Sequence, residues 1–178
     1  MIWESHPSKV DLYKRSQWLK AKKTQRRWPE SACVRVEQCV MIGCYCVRKL
    51  IEAGKLTDSV VKQKVPVVSY KARGKPVHSM NWHHVDKLYN IESGAKGTKA
   101  LTFVCNQLIH SFVYINGFGD GGGLEFVMFC SDFERNTNLF QVSIDDLAKA
   151  FLAVANDDVV DAHIVWNGKK RDYDRTLR

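Results

Sequence analysis

The apolar periodicity of residues 98–115 constrains the fold of this chain more than any other feature of its sequence. Apolar side chains recur there at the spacings that one face of a helix requires. They are Leu101, Val104, Cys105, Leu108, Phe112 and Ile115. A polar stripe contains Asn106 and His110, which a helix would place one turn apart on the same side. The stretch therefore predicts one amphipathic helix. Its amide and imidazole either bind phosphate and transfer a proton or form the solvated side of that helix.

Positive charge is concentrated near the start of the chain. The whole chain has 27 Lys and Arg against 19 Asp and Glu, a net charge of +8. This surplus favours polyanionic partners, chiefly nucleic acid, although solubility alone also explains such a surplus. With aromatic residues interleaved, the N-terminal arm is predicted to hold phosphates on its bases and nucleobases on its rings. The basic residues singled out are Lys20, Lys22, Lys23, Arg26 and Arg27. The alternative is a solvated helix whose aromatic rings pack inward.

Two helices are predicted before residue 54. The first, over 9–22, begins at the capping-box sequence of residues 8–11. The second, over 30–53, begins after Pro29 and ends at Gly54, which is expected to be a left-handed C-cap. Because this second helix is apolar on most sides, we expect it in the middle of a bundle.

The rest of the chain changes from helical to strand periodicity. Between the second helix and residue 98 the sequence predicts an edge strand at 64–70, a short helix at 81–89 and a loop at 93–97. Beyond residue 123 it predicts strands at 124–130, 139–142 and 159–166, a capped helix over 144–156, and a hairpin at Asn167–Gly168 with a returning strand at 169–173.

The glycine-rich stretch 117–123 contains a formal G-x-G-x-x-G. A dinucleotide-binding loop follows a strand and precedes a helix, whereas the predicted order here is the reverse. We therefore predict a flexible linker. The fold class is α+β, an N-terminal helical bundle followed by a small antiparallel sheet with one helix. The predicted domains are a helical bundle with a basic arm at 1–116 and a small α/β appendage packed on it at 117–178.

The six cysteines do not have the spacing of a zinc site, and four of them crowd into one predicted helix. We interpret them as reduced, apolar core residues. The adjacent His83 and His84 cannot both face one metal ion from a helix. The sequence therefore predicts no metal and no cofactor. It also predicts a cytoplasmic protein, since neither a signal peptide nor a membrane span is found.

Around Asn106 and His110 the sequence resembles the Arg-Asn-x-x-x-His signature of the HEPN superfamily, which comprises all-helical domains associated with nucleotides and RNA. Cys105 replaces the arginine of that signature. In active members the resemblance implies metal-independent RNA cleavage, with His110 as acid or base and Asn106 orienting it or binding phosphate. Arg48 or Lys99 could supply the missing positive charge. A homodimer is a further expectation from the resemblance.

The sequence thus predicts a nucleic-acid-associated HEPN-like protein, with RNA as the expected partner. Whether it is an enzyme stays open: such a protein is either a metal-independent endoribonuclease or a degenerate relative of one. The alternative is a non-enzymatic protein-interaction module, such as an immunity, accessory or antitoxin-like factor. A protein partner or a second copy of the chain fits either hypothesis, and no membrane partner is expected.

Overall fold

The computed structural model describes residues 3–178, and its class is α+β, as the sequence predicts. Two long helices come first, α1 (His6–Ala21) and α2 (Glu30–Glu52). The elements that follow are α3 (Asp58–Val61), β1 (Lys64–Lys71), α4 (Val85–Leu88), β2 (Ala95–Ala100), α5 (Leu101–Ile109), β3 (Ser111–Phe118), β4 (Leu124–Ser131), β5 (Asn138–Ser143), α6 (Ile144–Ala155), β6 (Ala162–Asn167) and β7 (Asp172–Leu177). Within this described range no helix is both long enough and apolar enough to cross a membrane.

Five of the strands form one antiparallel sheet in the order β2-β1-β5-β4-β3. Val142 lies opposite Val127 and Phe140 lies opposite Phe129, and all four side chains are buried. Helices α1, α2, α5 and α6 contribute to the same continuous hydrophobic cluster as these strands. The hydrophobic core therefore lies between the sheet and the helices. The long helices α1 and α2 lie on the outer side of the helical layer.

The helix predicted over 98–115 is wrong in its extent. The chain is a strand up to Ala100, is helical only in α5, and returns to a strand at Ser111. The apolar face predicted for this helix is confirmed within α5, because Val104 and Leu108 are completely buried. The aromatic and β-branched run at 112–115 suits a strand as well as a helix, and pairing of β3 with β4 decides between them.

Two further sequence interpretations are corrected by the sheet. The strand predicted at an edge, β1, lies inside the sheet between β2 and β5. The edge is β2, which overlaps the stretch predicted as a loop at 93–97. Its sequence, Ala-Lys-Gly-Thr-Lys-Ala, has no apolar alternation, so local pattern did not reveal it. Its lysines are the kind of side chain that protects an exposed edge from pairing with another chain.

The predicted helix starts and ends are confirmed in part. Ser143 Oγ accepts a hydrogen bond from the Asp146 amide at 3.0 Å, which confirms the cap of α6. Gly54 has a φ of 64°, as its predicted C-cap role requires. The capping box at residues 8–11 is wrong, because α1 begins at His6, three residues before the predicted start at residue 9, with a proline in its first turn. The helix predicted over 81–89 is confined to α4.

The glycine-rich stretch is the tight loop of the β3–β4 hairpin. The Gly119 amide donates to the Gly123 carbonyl at 2.9 Å, and the Gly122 amide donates to the Gly119 carbonyl at 2.7 Å. The prediction of a flexible linker is therefore wrong. The domain boundary predicted at residue 116 falls inside β3, and the sheet draws strands from both sides of it.

The last two strands form a separate hairpin, as the Asn167–Gly168 signal predicts. Its loop comprises residues 168–171, so the returning strand starts later than predicted. Apart from the buried Leu177, most of its side chains are exposed. Trp166 and Tyr173 pair across the two strands and are each about half exposed.

Candidate nucleic-acid interface

The basic residues of the N-terminal arm lie at the end of α1 and on the connector that joins α1 to α2, residues 22–29. The connector has a defined backbone, with a 3-10 turn at Lys22–Thr24. The Gln25 amide donates to the Lys22 carbonyl at 3.3 Å, and the Gln25 side chain donates to the Arg27 carbonyl at 2.8 Å. The cations on it are therefore held on ordered backbone.

The connector packs directly on the glycine-rich hairpin loop. Trp28 Nε1 donates to the Gly122 carbonyl at 2.7 Å, and its ring lies 4.8 Å from that of Phe118, centroid to centroid. At Gly123 a Cβ atom would overlap the carbonyl oxygen of Lys23. A side chain at this position would push two backbone segments apart, so the glycine permits their close approach.

Five cations, which we call the basic cluster, lie on this connector and on the adjoining last turn of α1. They are Lys20, Lys22, Lys23, Arg26 and Arg27. Of these, only Lys23 forms an ion pair within residues 3–178, and its partner is Asp145. Lys22 Nζ donates to the Gln25 side chain at 2.7 Å and lies 4.5 Å from the centroid of the Trp18 ring. The cluster therefore keeps most of its positive charge uncompensated.

The aromatic residues near the basic cluster differ in how far they are buried. Trp18 and Trp28 pack against the core, as the solvated-helix alternative requires, yet neither is fully buried. Phe118, which contacts Trp28, is 40% exposed, and Tyr13 is 49% exposed. Partly exposed rings beside uncompensated cations are the combination with which proteins bind single-stranded nucleic acid.

The predicted catalytic residues lie elsewhere, at the carboxyl end of α5. His110 is the residue after the helix, and its amide donates to the Asn106 carbonyl at 3.1 Å. Both side chains are exposed. His110 Nε2 lies 3.2 Å from a terminal nitrogen of Arg48, so α2 supplies a guanidinium to the imidazole. Because a guanidinium only donates hydrogen bonds, the contact requires an imidazole that accepts at Nε2 and carries its proton on Nδ1.

An acidic residue compensates the charge beside His110. Arg48 Nε and Lys49 Nζ each lie 2.7 Å from an oxygen of the Glu52 carboxylate. Arg48 and Glu52 have the i, i+4 spacing of a local ion pair on a helix. The local charge is therefore lower than in the basic cluster, and the group is open to solvent.

Cys105 and Lys99 do not join the His110 group. Cys105 is completely buried, and its side chain lies next to that of Cys44 on α2. Burial, followed by the neighbouring thiol of Cys105, raises the pKa of Cys44 well above its ordinary value, which keeps that thiol neutral. Lys99 is on β2, with Nζ 5.1 Å from the centroid of the Phe103 ring. It lies at the opposite end of α5 from His110, about 13 Å away along the helix axis.

Apart from Lys99, the predicted site residues thus form two groups at opposite ends of α2. The basic cluster precedes its first residue, Glu30, and Arg48 lies in its last turns. At 1.5 Å per residue, Glu30 and Arg48 are about 27 Å apart along the helix. His110 therefore lies beside Arg48, at the end of α2 away from the basic cluster.

Sequence reasoning missed a groove between α1 and α2. Its cationic lining comes from Lys14, Arg15 and Arg35, and Trp18 also lines it. The spacing of Lys14, Arg15 and Trp18 places them on one side of α1, which was a usable signal. The contribution of Arg35 depends on how α2 packs on α1, which the sequence does not state.

The cations near His110 should lower the pKa of Glu52. The hydrogen bond from Lys49, and next that from Arg48, hold this pKa below its ordinary value of 4.5. A carboxylate with a lowered folded pKa stabilises the fold above its unfolded pKa, and this stabilisation is lost as the pH falls through the folded pKa. We expect an NMR titration of the Glu52 carboxyl carbon to show the lowered pKa, and Lys49→Ala to raise it. A titration at or above 4.5 in the unmodified protein would contradict the ion-pair geometry.

Comparison with protein-family models, curated proteins and solved structures finds no match to this chain. Within residues 3–178 no three His, Cys, Asp or Glu side chains are grouped so as to hold a metal ion.

Proposed function

We propose that this protein binds single-stranded nucleic acid, RNA in particular, through the basic cluster. The observation that carries the proposal is the placement of four cations on a connector that is fixed to the β3–β4 hairpin loop, with a fifth, Lys20, in the adjoining last turn of α1. Among residues 3–178, only Lys23 of these five forms an ion pair. The preference for RNA rests on the resemblance at Asn106 and His110.

Fixed cations suit this role for a physical reason. A polyanion that binds them releases its condensed counterions, which drives association and makes it depend on salt. Side chains held on ordered backbone also lose less conformational freedom on binding than those of a disordered tail. The partly exposed rings of Trp28 and Phe118 add surfaces on which bases can stack.

Neutralising the basic cluster tests the proposal. We expect the variant Lys20→Gln, Lys22→Gln, Arg26→Gln and Arg27→Gln to lose at least about tenfold in affinity for a labelled single-stranded RNA of about 16 nucleotides. Four lost phosphate contacts should also reduce the slope of log K against log salt by about 3. Lys23 is left unchanged because it already forms an ion pair with Asp145.

A matched control removes the same charge elsewhere. Lys64, Lys71, Lys75 and Lys87 are exposed, and none of them forms an ion pair in the described part of the chain. Changing these four to Gln should preserve most of the affinity. Equal losses in both variants would show that binding follows net charge alone, and the assignment to the basic cluster would fail. A single-stranded DNA of the same sequence measures the preference for RNA.

A second candidate function, metal-independent RNA cleavage, is favoured by the contact between His110 and Arg48. In that reaction the imidazole would move the proton of a ribose hydroxyl and the guanidinium would hold the phosphate. We expect any cleavage in the presence of a chelator to be abolished by His110→Ala without loss of folding. If the protein neither binds nor cleaves nucleic acid, the interaction-module alternative stands, and the half-exposed Trp166 and Tyr173 favour the β6–β7 hairpin as its surface.

A further inference from the structure

The groove between α1 and α2 has the dimensions of a small binding site. Its volume is ≈ 420 Å³, within the range of about 300–1,000 Å³ typical of small-molecule sites. One wall is formed by Asp11, Lys14, Arg15 and Trp18 of α1, and the other by Arg35, Gln38, Cys39 and Ile42 of α2. The groove begins at Trp18, directly beside Lys22 of the basic cluster.

The charge of the groove is positive. Its only carboxylate is Asp11, which accepts a hydrogen bond from Arg15 Nε at 2.6 Å. Burial alone would lower the pKa of Arg15, but the hydrogen bond and charge of Asp11 outweigh it and raise this pKa, so the guanidinium stays charged. Burial raises the pKa of the Cys39 thiol to about 11, which keeps this thiol neutral. Lys14 and Arg35 are exposed and form no ion pair within residues 3–178.

The lining combines these cations with flat apolar surface. The Trp18 ring is partly exposed at one end of the groove, and Ile42, 45% exposed, lies at the other. An acidic peptide would satisfy the cations but would leave the ring without a planar partner. A nucleotide satisfies both, because its phosphate meets Lys14 and Arg35 while its base stacks on the indole.

We infer that the α1–α2 groove binds one nucleotide of a single strand whose neighbouring phosphates lie on the basic cluster. The strand runs from Lys22 into the groove, with its base on Trp18 and its phosphate against Lys14 and Arg35. Lys22, which now covers the indole, is flexible enough to move onto a phosphate. This inference rests on the proposed function and adds to it a defined site for one nucleotide.

Comparing a base-bearing strand with an abasic sugar-phosphate strand of the same length tests the inference. The unmodified protein should bind the base-bearing strand more tightly by about 5- to 150-fold, the range expected from one stacked base. Trp18→Leu keeps an apolar side chain but removes the ring, so it should reduce this preference, leaving only what stacking on Trp28 and Phe118 contributes, and leave the affinity for the abasic strand unchanged. The basic-cluster variant should weaken binding of both strands and keep their ratio.

A second pair of variants avoids any packing role of Trp18. Gln38 is exposed in the middle of the groove, and Gln38→Glu should repel the phosphate that stacking on Trp18 brings there. The abasic strand has no base to hold it in the groove, so its affinity should change less and the preference for the base-bearing strand should fall. Gln17→Glu makes the same change on α1 outside the groove and should have no effect on the ratio. Thermal unfolding of each variant shows whether it has folded.

The possible outcomes separate the two proposals. If the unmodified protein binds both strands equally and the basic cluster is required, the groove assignment fails and the proposed function survives. If folded Trp18→Leu or Gln38→Glu keeps the full preference, the groove assignment also fails. Binding of neither strand refutes the proposed function and the groove with it. Competition by a polyglutamate peptide as strong as that by the base-bearing strand would show a charge-only site and would overturn the inference.

Discussion

Gly123→Ala is expected to destabilise the protein and to weaken nucleic-acid binding, although the residue carries no charge. The new methyl group would overlap the Lys23 carbonyl oxygen, and backbone atoms on both sides leave little room for relief. Overpacking of this kind typically costs about 1–3 kcal/mol. Because the connector must move away from the hairpin loop, Trp28 should lose its hydrogen bond to Gly122 and the basic cluster its fixed geometry.

Urea unfolding and RNA binding measure the two consequences of Gly123→Ala separately. The matched control is Gly97→Ala on the edge strand β2, where a Cβ atom would meet nothing within 4 Å. We expect the control to differ little from the unmodified protein in either measurement. Unchanged stability and unchanged affinity in Gly123→Ala would show that the connector does not depend on the hairpin loop for its position.

The glycine-rich loop also shows what the sequence could and could not provide. Its turn-forming composition is visible in the sequence, and so is the strand that follows it. The partner of Gly123 is Lys23, a hundred residues earlier, and no local pattern encodes a contact over that distance. The sequence therefore supports two hypotheses for the stretch, a linker or a loop, and only the packing of the connector distinguishes them.

The contrast between α5 and α6 has a similar origin. The α6 segment has a cap, Ser143 with Asp146, and its apolar residues repeat with the period of a helix. Its local sequence and its tertiary packing therefore both favour a helix. In 98–115 the apolar residues fit a helix throughout, but the flanking residues also suit strands. Strand β3 gains the backbone hydrogen bonds of β4, which an isolated segment lacks, so the sheet shortens the helix.

The sequence predicted individual residues of the candidate site but not their arrangement in space. Charge and aromatic composition identify the basic cluster, and the spacing on α2 identifies the pair of Arg48 and Glu52. The separation of the cluster from His110 follows from the length of α2 together with the positions of α1 and α5 beside it, which are tertiary facts. For the same reason the sequence could not show that Arg48 meets His110 whereas Lys99 does not.

The packing of α2 against α6 should respond strongly to changes at Gly43 and Phe151. Both are buried, and a Cβ atom at Gly43 would overlap the ring of Phe151. Phe151→Ala should lower the free energy of unfolding by about 3–5 kcal/mol, since it removes a buried ring and leaves a cavity. Gly43→Ala should lower the free energy of unfolding by about 1–3 kcal/mol through overpacking. The higher helix propensity of alanine offsets at most about 1 kcal/mol of this loss.

The double variant distinguishes direct contact from two independent effects. Once Phe151 is alanine, the methyl group of Ala at position 43 has room and fills part of the cavity, so Gly43→Ala should become neutral or stabilising. We therefore expect the loss in the double variant to be smaller than the sum of the two single losses, as chemical denaturation of all four proteins would measure. Phe133→Ala serves as the control, because Phe133 is 91% exposed and its removal should change the free energy of unfolding by less than about 0.5 kcal/mol. Strict additivity would mean that Gly43 does not set the distance between α2 and α6, because a residue that does so must be coupled to the ring it faces.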